Sequence, residues 1–446
     1  MTAVYDVKTF GAVGDGHHDD RDAINDAMIE SGDGGIVYFP AGNYAIGGPI
    51  ILPNDHAYRK LIGCGRSCIS GGFNDYLLWN DQSATGSAPV NFIDGFRFQN
   101  FYTPKKGDIT QVDSPSASIA PGQGCGCIYL PNTSWVRIQN CEFTLNGGIG
   151  VYFPGICNTI SQFNLNGNFG GQEDYPVCIG VWPGSGYVGD AKIMGCRHGV
   201  VALEAPVEIT NMDIERCQFG LQLGRNPLAY WDRNTNSMFG AGTIRAYNAI
   251  AKNLIFESNG SVAEGGAFIH VDGGAMTLER IALHSYEQIG TPDFGIHCDG
   301  AQSCYFRNIA ISGAYRQAGV GITPFGGAKG CTFENVGASG ASGPGGTPGV
   351  GWMLPKNEGG YIDDEWGARN AMSNSFIACD TDGAVPFATL PKQMGNTVSS
   401  LVAIADSTDP TWTDEGGSNI GKLVTAGGGT HKVLLRWSGT HWRIAG

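Results

Sequence analysis

Two short stretches of this 446-residue chain repeat one chemical pattern. The first is Phe268-Ile269-His270-Val271-Asp272-Gly273 and the second Gly295-Ile296-His297-Cys298-Asp299-Gly300. The histidines are 27 residues apart, 297 − 270, and so are the aspartates, 299 − 272. Imidazoles and carboxylates are the side chains that most often carry protons in catalysis. Apolar and polar residues alternate within each copy, the period of a half-buried strand. Ile269, Val271, Ile296 and Cys298 then share one face, and His270, Asp272, His297 and Asp299 the other. If one coil of a solenoid takes this many residues, the two strands stack. The expectation is a solvent-facing surface with a His–His column beside an Asp–Asp column. Carboxylates one strand spacing apart, roughly 4.8 Å, titrate as a coupled pair, one holding its proton to higher pH. A purely solvated ladder is the competing reading, and like-charge repulsion disfavours it.

Other strands align by hand on the turn glycines. They are Ile149-Gly-Val-Tyr-Phe153, Ile179-Gly-Val-Trp182, Leu221-Gln-Leu-Gly224 and Val320-Gly-Ile-Thr323. The resulting outward column reads Tyr152, Trp182, Gly224, Asp272, Asp299, Thr323. Aromatic faces stack on sugar C–H surfaces and carboxylates do acid–base work. A second column of Glu215, Glu257, His284 and Ser312 is expected as a facing wall, with Tyr286 beside it. The catalytic candidates are Asp272, Asp299, His270, His297 and Glu257. The substrate-binding candidates are Tyr152, Trp182, His284 and Tyr286. No metal site is expected, because four ligands on flat parallel strands do not converge without a loop. Adjacent rungs would place Asp272 and Asp299 near the carboxylate separation of a retaining glycosidase; either with Glu257 would give the wider, inverting one.

A rung recurs around these strands: apolar, any residue, Asn, two residues, apolar. It reads Ile138-Gln-Asn140-Cys-Glu-Phe143, Ile209-Thr-Asn211-Met-Asp-Ile214, Phe306-Arg-Asn308-Ile-Ala-Ile311 and Phe333-Glu-Asn335-Val-Gly-Ala338. Leu278-Glu-Arg280-Ile-Ala-Leu283 keeps the frame without the Asn. An Asn at a fixed place suggests a turn residue in the left-handed region, bonding along a ladder. Loop insertions are expected at 170–176 and 226–232, a long loop over 337–371, and a last rung at 372–379. With 70 Gly, 21 Pro and 15% charged residues, the composition suits many short strands and turns. The net charge of −14 argues against nucleic-acid or anionic-membrane binding. No apolar run reaches membrane-spanning length. No secretory signal precedes the first strand-like segment, so export is expected by another route or after removal of a signal. Most of the 13 Cys read as buried thiols used as small apolar residues. Disulfides are less favoured, and Cys125-Gly-Cys127 lacks zinc spacing.

Near the N-terminus, Phe10-Gly-Ala-Val-Gly-Asp-Gly16 reads as a tight turn. Asp19, Asp20 and Asp22 precede Ala23, Ile24, Ala27 and Met28, an acidic helix start with one apolar stripe, ended by Gly32 and Gly34. Val37-Tyr-Phe-Pro-Ala-Gly-Asn-Tyr44 follows as strand and turn. Together these motifs resemble the N-terminus of the pectate-lyase-like right-handed parallel β-helix superfamily, in which the helix caps the open end of the solenoid. The resemblance makes Asp15, Asp19 and Asp20 turn and cap residues. The ending Gly427-Gly-Gly-Thr-His-Lys-Val433 with Trp437-Ser-Gly-Thr-His-Trp-Arg-Ile444 resembles a C-terminal segment of phage tail-fibre and tailspike proteins.

The fold expected is all-β: a right-handed parallel β-helix over 1–384 with an N-terminal capping helix, then a small β-rich module over 385–446. The resemblance implies a tailspike-like polysaccharide depolymerase, a glycoside hydrolase acting on a bacterial capsular or extracellular polysaccharide. It also implies a homotrimer, located extracellularly or on a virion tail. A polysaccharide lyase is the rival enzyme, with His270, His297, Tyr286 and Arg316 as available groups. Only that reading calls for a cofactor, Ca2+, to shield a uronate from the acidic columns. A glycan-binding tail or adhesin protein without catalysis is the third reading.

Overall fold

The computed structural model describes residues 3–53, 58–80, 90–104, 124–131, 133–168, 178–203, 206–224, 230–232, 237–239, 246–257, 266–286, 292–298, 300–315, 318–322, 328–342, 350–353, 371–373, 376–377, 401–410, 419–425, 427–438 and 441–445. It divides into two compact units, residues 1–217 with 225–244, and 218–224 with 245–446. Each is built as a right-handed parallel β-helix, in which successive coils add strands to long parallel sheets.

The first unit begins with the cap. The carboxylate of the fully buried Asp20 accepts hydrogen bonds from the Val13 and Gly14 amides at 2.6 and 3.0 Å. It thereby closes the glycine turn, in which Gly14 has φ 71°. Asp15 accepts from the His17 and His18 amides, and Asp19 from Arg21 and Gly47. All three acids are turn and cap residues, as the resemblance implies. The helix Arg21–Ser31 buries Ile24, Ala27 and Met28. Its last turn meets Arg59, a wholly buried guanidinium that donates to the Met28 carbonyl at 2.7 Å and the Ser31 hydroxyl at 3.0 Å. A cation at a helix C-terminus offsets the partial negative charge there. No periodicity announces this long-range cap.

Beyond the cap, one sheet of the first unit stacks Arg59–Gly71, Val90–Asn100, Arg137–Leu145, Asn158–Asn166, Gly186–Met194 and Val207–Glu215. The second sheet stacks Ile50–Leu52, Tyr76–Asn80, Gly126–Tyr129, Gly148–Phe153, Cys178–Pro183 and His198–Ala202. In the second unit the corresponding strands are Ile250–Glu257, Thr277–Ser285, Tyr305–Ala314 and Thr332–Ser342. Against them run Phe219–Leu223, Ala267–Val271, Phe294–Cys298, Ala318–Ile322 and Val350–Met353. The interiors are ladders of like residues; Phe98 stacks on Phe143 at 5.5 Å, and Phe306 on Phe333 at 4.6 Å.

The recurring Asn is a turn residue in the left-handed region. Asn140, Asn211, Asn253, Asn308 and Asn335 have φ of 52–54°, and Arg280, which replaces it, 56°. Asn335 Nδ2 donates to Asn308 Oδ1 at 2.9 Å, and Asn211 Nδ2 to Asp190 Oδ1 at 3.0 Å. Among the described cysteines all are free thiols, and only Cys64 and Cys157 are exposed. The insertion at 170–176 and residues 354–370 of the expected long loop lie outside the described residues. The expected loop at 226–232 ends in a short antiparallel pair, Tyr230–Asp232 with Ser237–Phe239. The long loop expected from 337 is shorter at its start, because Thr332–Ser342 continues through it and Val350–Met353 adds a strand. Near the C-terminus Leu401–Ser407, His431–Trp437 and Trp442–Ile444 pair antiparallel.

Candidate active site

The doubled His-x-Asp stretch stacks in the register its spacing predicts. Ile269 lies opposite Ile296, His270 opposite His297, and Val271 opposite Cys298. The two imidazole centroids are 5.1 Å apart. Gln222 precedes His270 in the same column. Asp299 lies outside the described residues.

Exposure differs from the expectation. His270 is 3% exposed and Asp272 2%, so neither faces open solvent. Alternation tells which side of a strand a residue occupies; it does not tell whether another segment covers that side. Here the turn after the second copy does so. Gly300, at φ 108°, passes so close to Asp272 that a Cβ built on it would stand 2.4 Å from Asp272 Oδ1. Asp272 is also pinned through its backbone. Its amide donates to Leu223 O at 2.8 Å, and its carbonyl accepts from the Ala246 amide at 3.1 Å. His297 is half-buried and lies flat on Phe294, with centroids 4.5 Å apart and planes 10° apart. Burying a carboxylate and imidazoles costs several kcal/mol unless they are well bonded, so such clusters are commonest where protons are moved.

Across the second unit, Glu257, His284 and Ser312 stand in register on three consecutive coils, as one column. His284 Nδ1 and Ser312 Oγ are 2.6 Å apart, and Tyr286 meets the imidazole edge-on at 4.3 Å. Tyr286 is exposed. Glu215, grouped with this wall from sequence, belongs to the first unit. There it is in register with Met194 and bonds Lys192 at 2.6 Å. That bond, with Asp213 beside it, holds the Lys192 ammonium above its usual pKa.

In the first unit Tyr152 pairs with Trp182. Tyr129 and Trp79, which sequence reading missed, extend the same column. Tyr129 stacks on Tyr152 at 4.9 Å, and Trp182 meets Tyr152 edge-on at 5.2 Å. Burial pushes the Tyr152 phenol up. The signal was present: Leu78-Trp79 and Ile128-Tyr129 repeat the apolar–aromatic step of Val151-Tyr152 and Val181-Trp182. The hand-made column needs one correction. Counted from the glycine that opens each strand, the place of Tyr152 and Trp182 is held in the second unit by Gln222 and His297, and His270 pairs with both. Asp272 is two residues further on, against Gly224. Thr323 lies outside the described residues, and so does Arg316.

Comparison with known sequences decides the family. The sequence model of the rhamnogalacturonase A/epimerase, pectate lyase-like family matches residues 4–242, more than half of the chain. The chain belongs to this family. Membership makes it one of a group of polysaccharide-acting β-helix proteins, which includes hydrolases, epimerases and lyases. The match covers the cap and the aromatic column and stops before His270. Plasmin and fibronectin-binding protein A of Streptococcus pneumoniae is 47% identical over 150 residues, 31% of this chain. The matched part spans only 20% of that protein's length. Among solved structures, the A-module of mannuronan C-5 epimerase AlgE4 from Azotobacter vinelandii aligns with TM-score 0.52 and 17% identity, covering 83% of this chain and 94% of the module. An N-terminal fragment of gene product 12 of bacteriophage phi29 aligns with TM-score 0.52 and 15% identity, covering 87% of this chain and 72% of the fragment. At these identities the likeness is one of fold.

Proposed function

We propose that this pectate-lyase-like protein is a glycoside hydrolase that cleaves a bacterial capsular or extracellular polysaccharide. The observation that carries the reading is the register of His270 with His297 on adjacent coils, with Asp272 directly after the first of these strands. Asp272 and Asp299 are the acid and the base or nucleophile. One carboxyl protonates the leaving glycosidic oxygen while the other attacks, or activates water, at the anomeric carbon. His270 and His297 set the local charge and relay protons. In the first unit, Trp79, Tyr152 and Trp182 are sugar platforms; that unit lies within the stretch matched by the polysaccharide-acting family, which supports this assignment.

The lyase reading has one observation of its own. Tyr286 and His284, a phenol and an imidazole at 4.3 Å, are a proton donor and acceptor of the kind that abstracts a proton beside a uronate. A net charge of −14 opposes a polyuronate unless a cation such as Ca2+ intervenes. We further assign the protein to an extracellular or virion setting, as a homotrimer, with the phage and streptococcal likenesses as support. A screen of capsular and exopolysaccharides tests the activity. New reducing ends without ultraviolet-absorbing unsaturated ends mean hydrolysis. Both signals mean a lyase, and neither with retained binding means an adhesin. Light scattering that returns a monomer mass removes the trimer.

A further inference from the structure

A different constellation stands on the strands Ile250–Glu257, Thr277–Ser285 and Tyr305–Ala314. Glu257, His284 and Ser312 each follow a buried core residue, Phe256, Leu283 and Ile311, and so point away from the core. All three are half-buried, which leaves them reachable. The contact of 2.6 Å between Ser312 Oγ and His284 Nδ1 is at the short end for a hydroxyl bonded to a nitrogen. One coil back, on the other side of His284 along the column, Glu257 stands in register with it, the two backbones one strand spacing or roughly 4.8 Å apart. The Tyr286 ring packs edge-on against the imidazole and limits its rotation.

The order hydroxyl, imidazole, carboxylate activates a weak oxygen nucleophile. A solvated polar ladder does not require that order. Nor does it require the local break beside the serine. The ladder with Thr332–Ser342 shifts register between Ser312 and Ala314, and Gly313 sits at φ 95°. Between these pairs the Thr332–Ser342 strand carries one residue more than the serine's strand, which interrupts regular pairing beside the hydroxyl. Amide donors for a developing oxyanion are needed at that place.

We propose that Ser312, His284 and Glu257 form an acyl-transfer site that hydrolyses acetyl esters carried on sugar hydroxyls. His284 Nδ1 takes the Ser312 proton as Oγ attacks the ester carbonyl. The carbonyl C–O bond to the sugar breaks, the imidazolium returns its proton to the leaving oxygen, and the acetyl group stays on Ser312. Water, deprotonated by the same imidazole, then attacks. Acetate leaves and the proton returns to Oγ. One ester and one water give one alcohol and one acid. Glu257 stabilises the imidazolium formed in each half, and the Gly313 and Ala314 amides hold the oxyanion.

The choice of a sugar ester rests on the polysaccharide reading, whereas the acyl-transfer chemistry does not. The test therefore uses the full chain with two probes that contain no sugar. An aryl fluorophosphonate is expected to leave one adduct, located on Ser312 by peptide mass spectrometry. Hydrolysis of 4-nitrophenyl acetate is expected to fall by about 10³-fold in Ser312→Ala and His284→Asn. In Glu257→Gln it should fall by about 10-fold. An O-acetylated polysaccharide is then assayed for acetate and, separately, for reducing ends. Acetate release without chain cleavage retains this proposal and removes the hydrolase reading; the converse removes this proposal alone. Absence of an adduct on Ser312 in the folded wild-type protein overturns it, even if Ser312→Ala fails to fold. So does a Ser312→Ala variant that hydrolyses the aryl ester at the wild-type rate.

Discussion

The two units share a backbone repeat and put opposite chemistry on it. Outward residues on one sheet of the first unit are Trp79, Tyr129, Tyr152 and Trp182; at the same repeat position the second unit has Gln222, His270 and His297. The other sheet reverses the contrast. Two residues past the left-handed turn position, the first unit carries Arg97, Glu142, Asn164, Lys192 and Asp213, with ion pairs Arg97–Glu142 at 3.0 Å and Lys192–Asp213 at 3.1 Å. In the second unit that place holds Ile255, Ala282, Ala310 and Gly337, beside an open apolar groove of about 390 Å³. Exposed ion pairs are worth only ~0–1 kcal/mol each, so neither pattern is dictated by stability. The interior repeat fixes where side chains point, and the outward positions are left to function. On the function proposed above, the first unit supplies the sugar platforms and the second the proton-transfer groups.

The largest effect that sharpens this contrast is on turnover. Asp272→Asn keeps the shape of the buried side chain and should lower the rate of chain cleavage by about 10²–10⁴-fold, with oligosaccharide binding nearly unchanged. Initial-rate kinetics and calorimetry measure the two separately. Wild-type turnover in this variant would make the His–Asp column a structural ladder.

Next in size is a pair of glycine substitutions within the second unit. Gly300→Ala forces a Cβ onto Asp272 at 2.4 Å in a left-handed conformation, and should cost ~1–3 kcal/mol. Gly337→Ala meets nothing within 4 Å and should be neutral to within ~0.5 kcal/mol. Urea unfolding compares them. Equal stabilities would mean that the turn does not clamp the carboxylate.

Smaller again is the effect expected in the first unit. Trp182→Ala and Tyr152→Ala should each raise KM by about 5- to 10-fold with kcat held, the signature of lost uniform binding. A fall in kcat as deep as that of Asp272→Asn would break the division of labour between the units.

The smallest is confined to the N-terminal cap. Burial alone raises the Asp19 pKa, but the Gly47 and Arg21 amides that donate to it prevail and hold it below 3.8. A depressed folded-state pKa contributes stability that is fully present above the unfolded value and lost as pH falls through the folded one. Amide exchange in the helix Arg21–Ser31 should therefore quicken as pH drops below 3.8. Asp19→Asn should weaken that dependence, once the steep intrinsic pH dependence of exchange is removed by reference to unstructured peptides.

What the sequence determined by itself was the coil. A step of about 27 residues, an Asn recurring at one turn position, turn glycines and alternating apolar residues are local requirements of one backbone geometry. They specified that His270 stacks on His297 and that Glu257, His284 and Ser312 share a column. Asp19 and Asp20 were legible as turn residues because most of their partners lie within a few residues, whereas the Gly47 amide that Asp19 also accepts from is 28 residues on. Tertiary structure decided whatever depended on one segment lying over another. Alternation placed His270 and Asp272 off the interior face, but only the folded turn at Gly300 shows that Asp272 is covered. Arg59 closes a helix that ends 28 residues earlier, and no periodicity links the two. The aromatic column was half legible, because Trp79 and Tyr129 sit on strands separated by irregular intervals, where counting residues loses register and hydrogen-bond pairing keeps it.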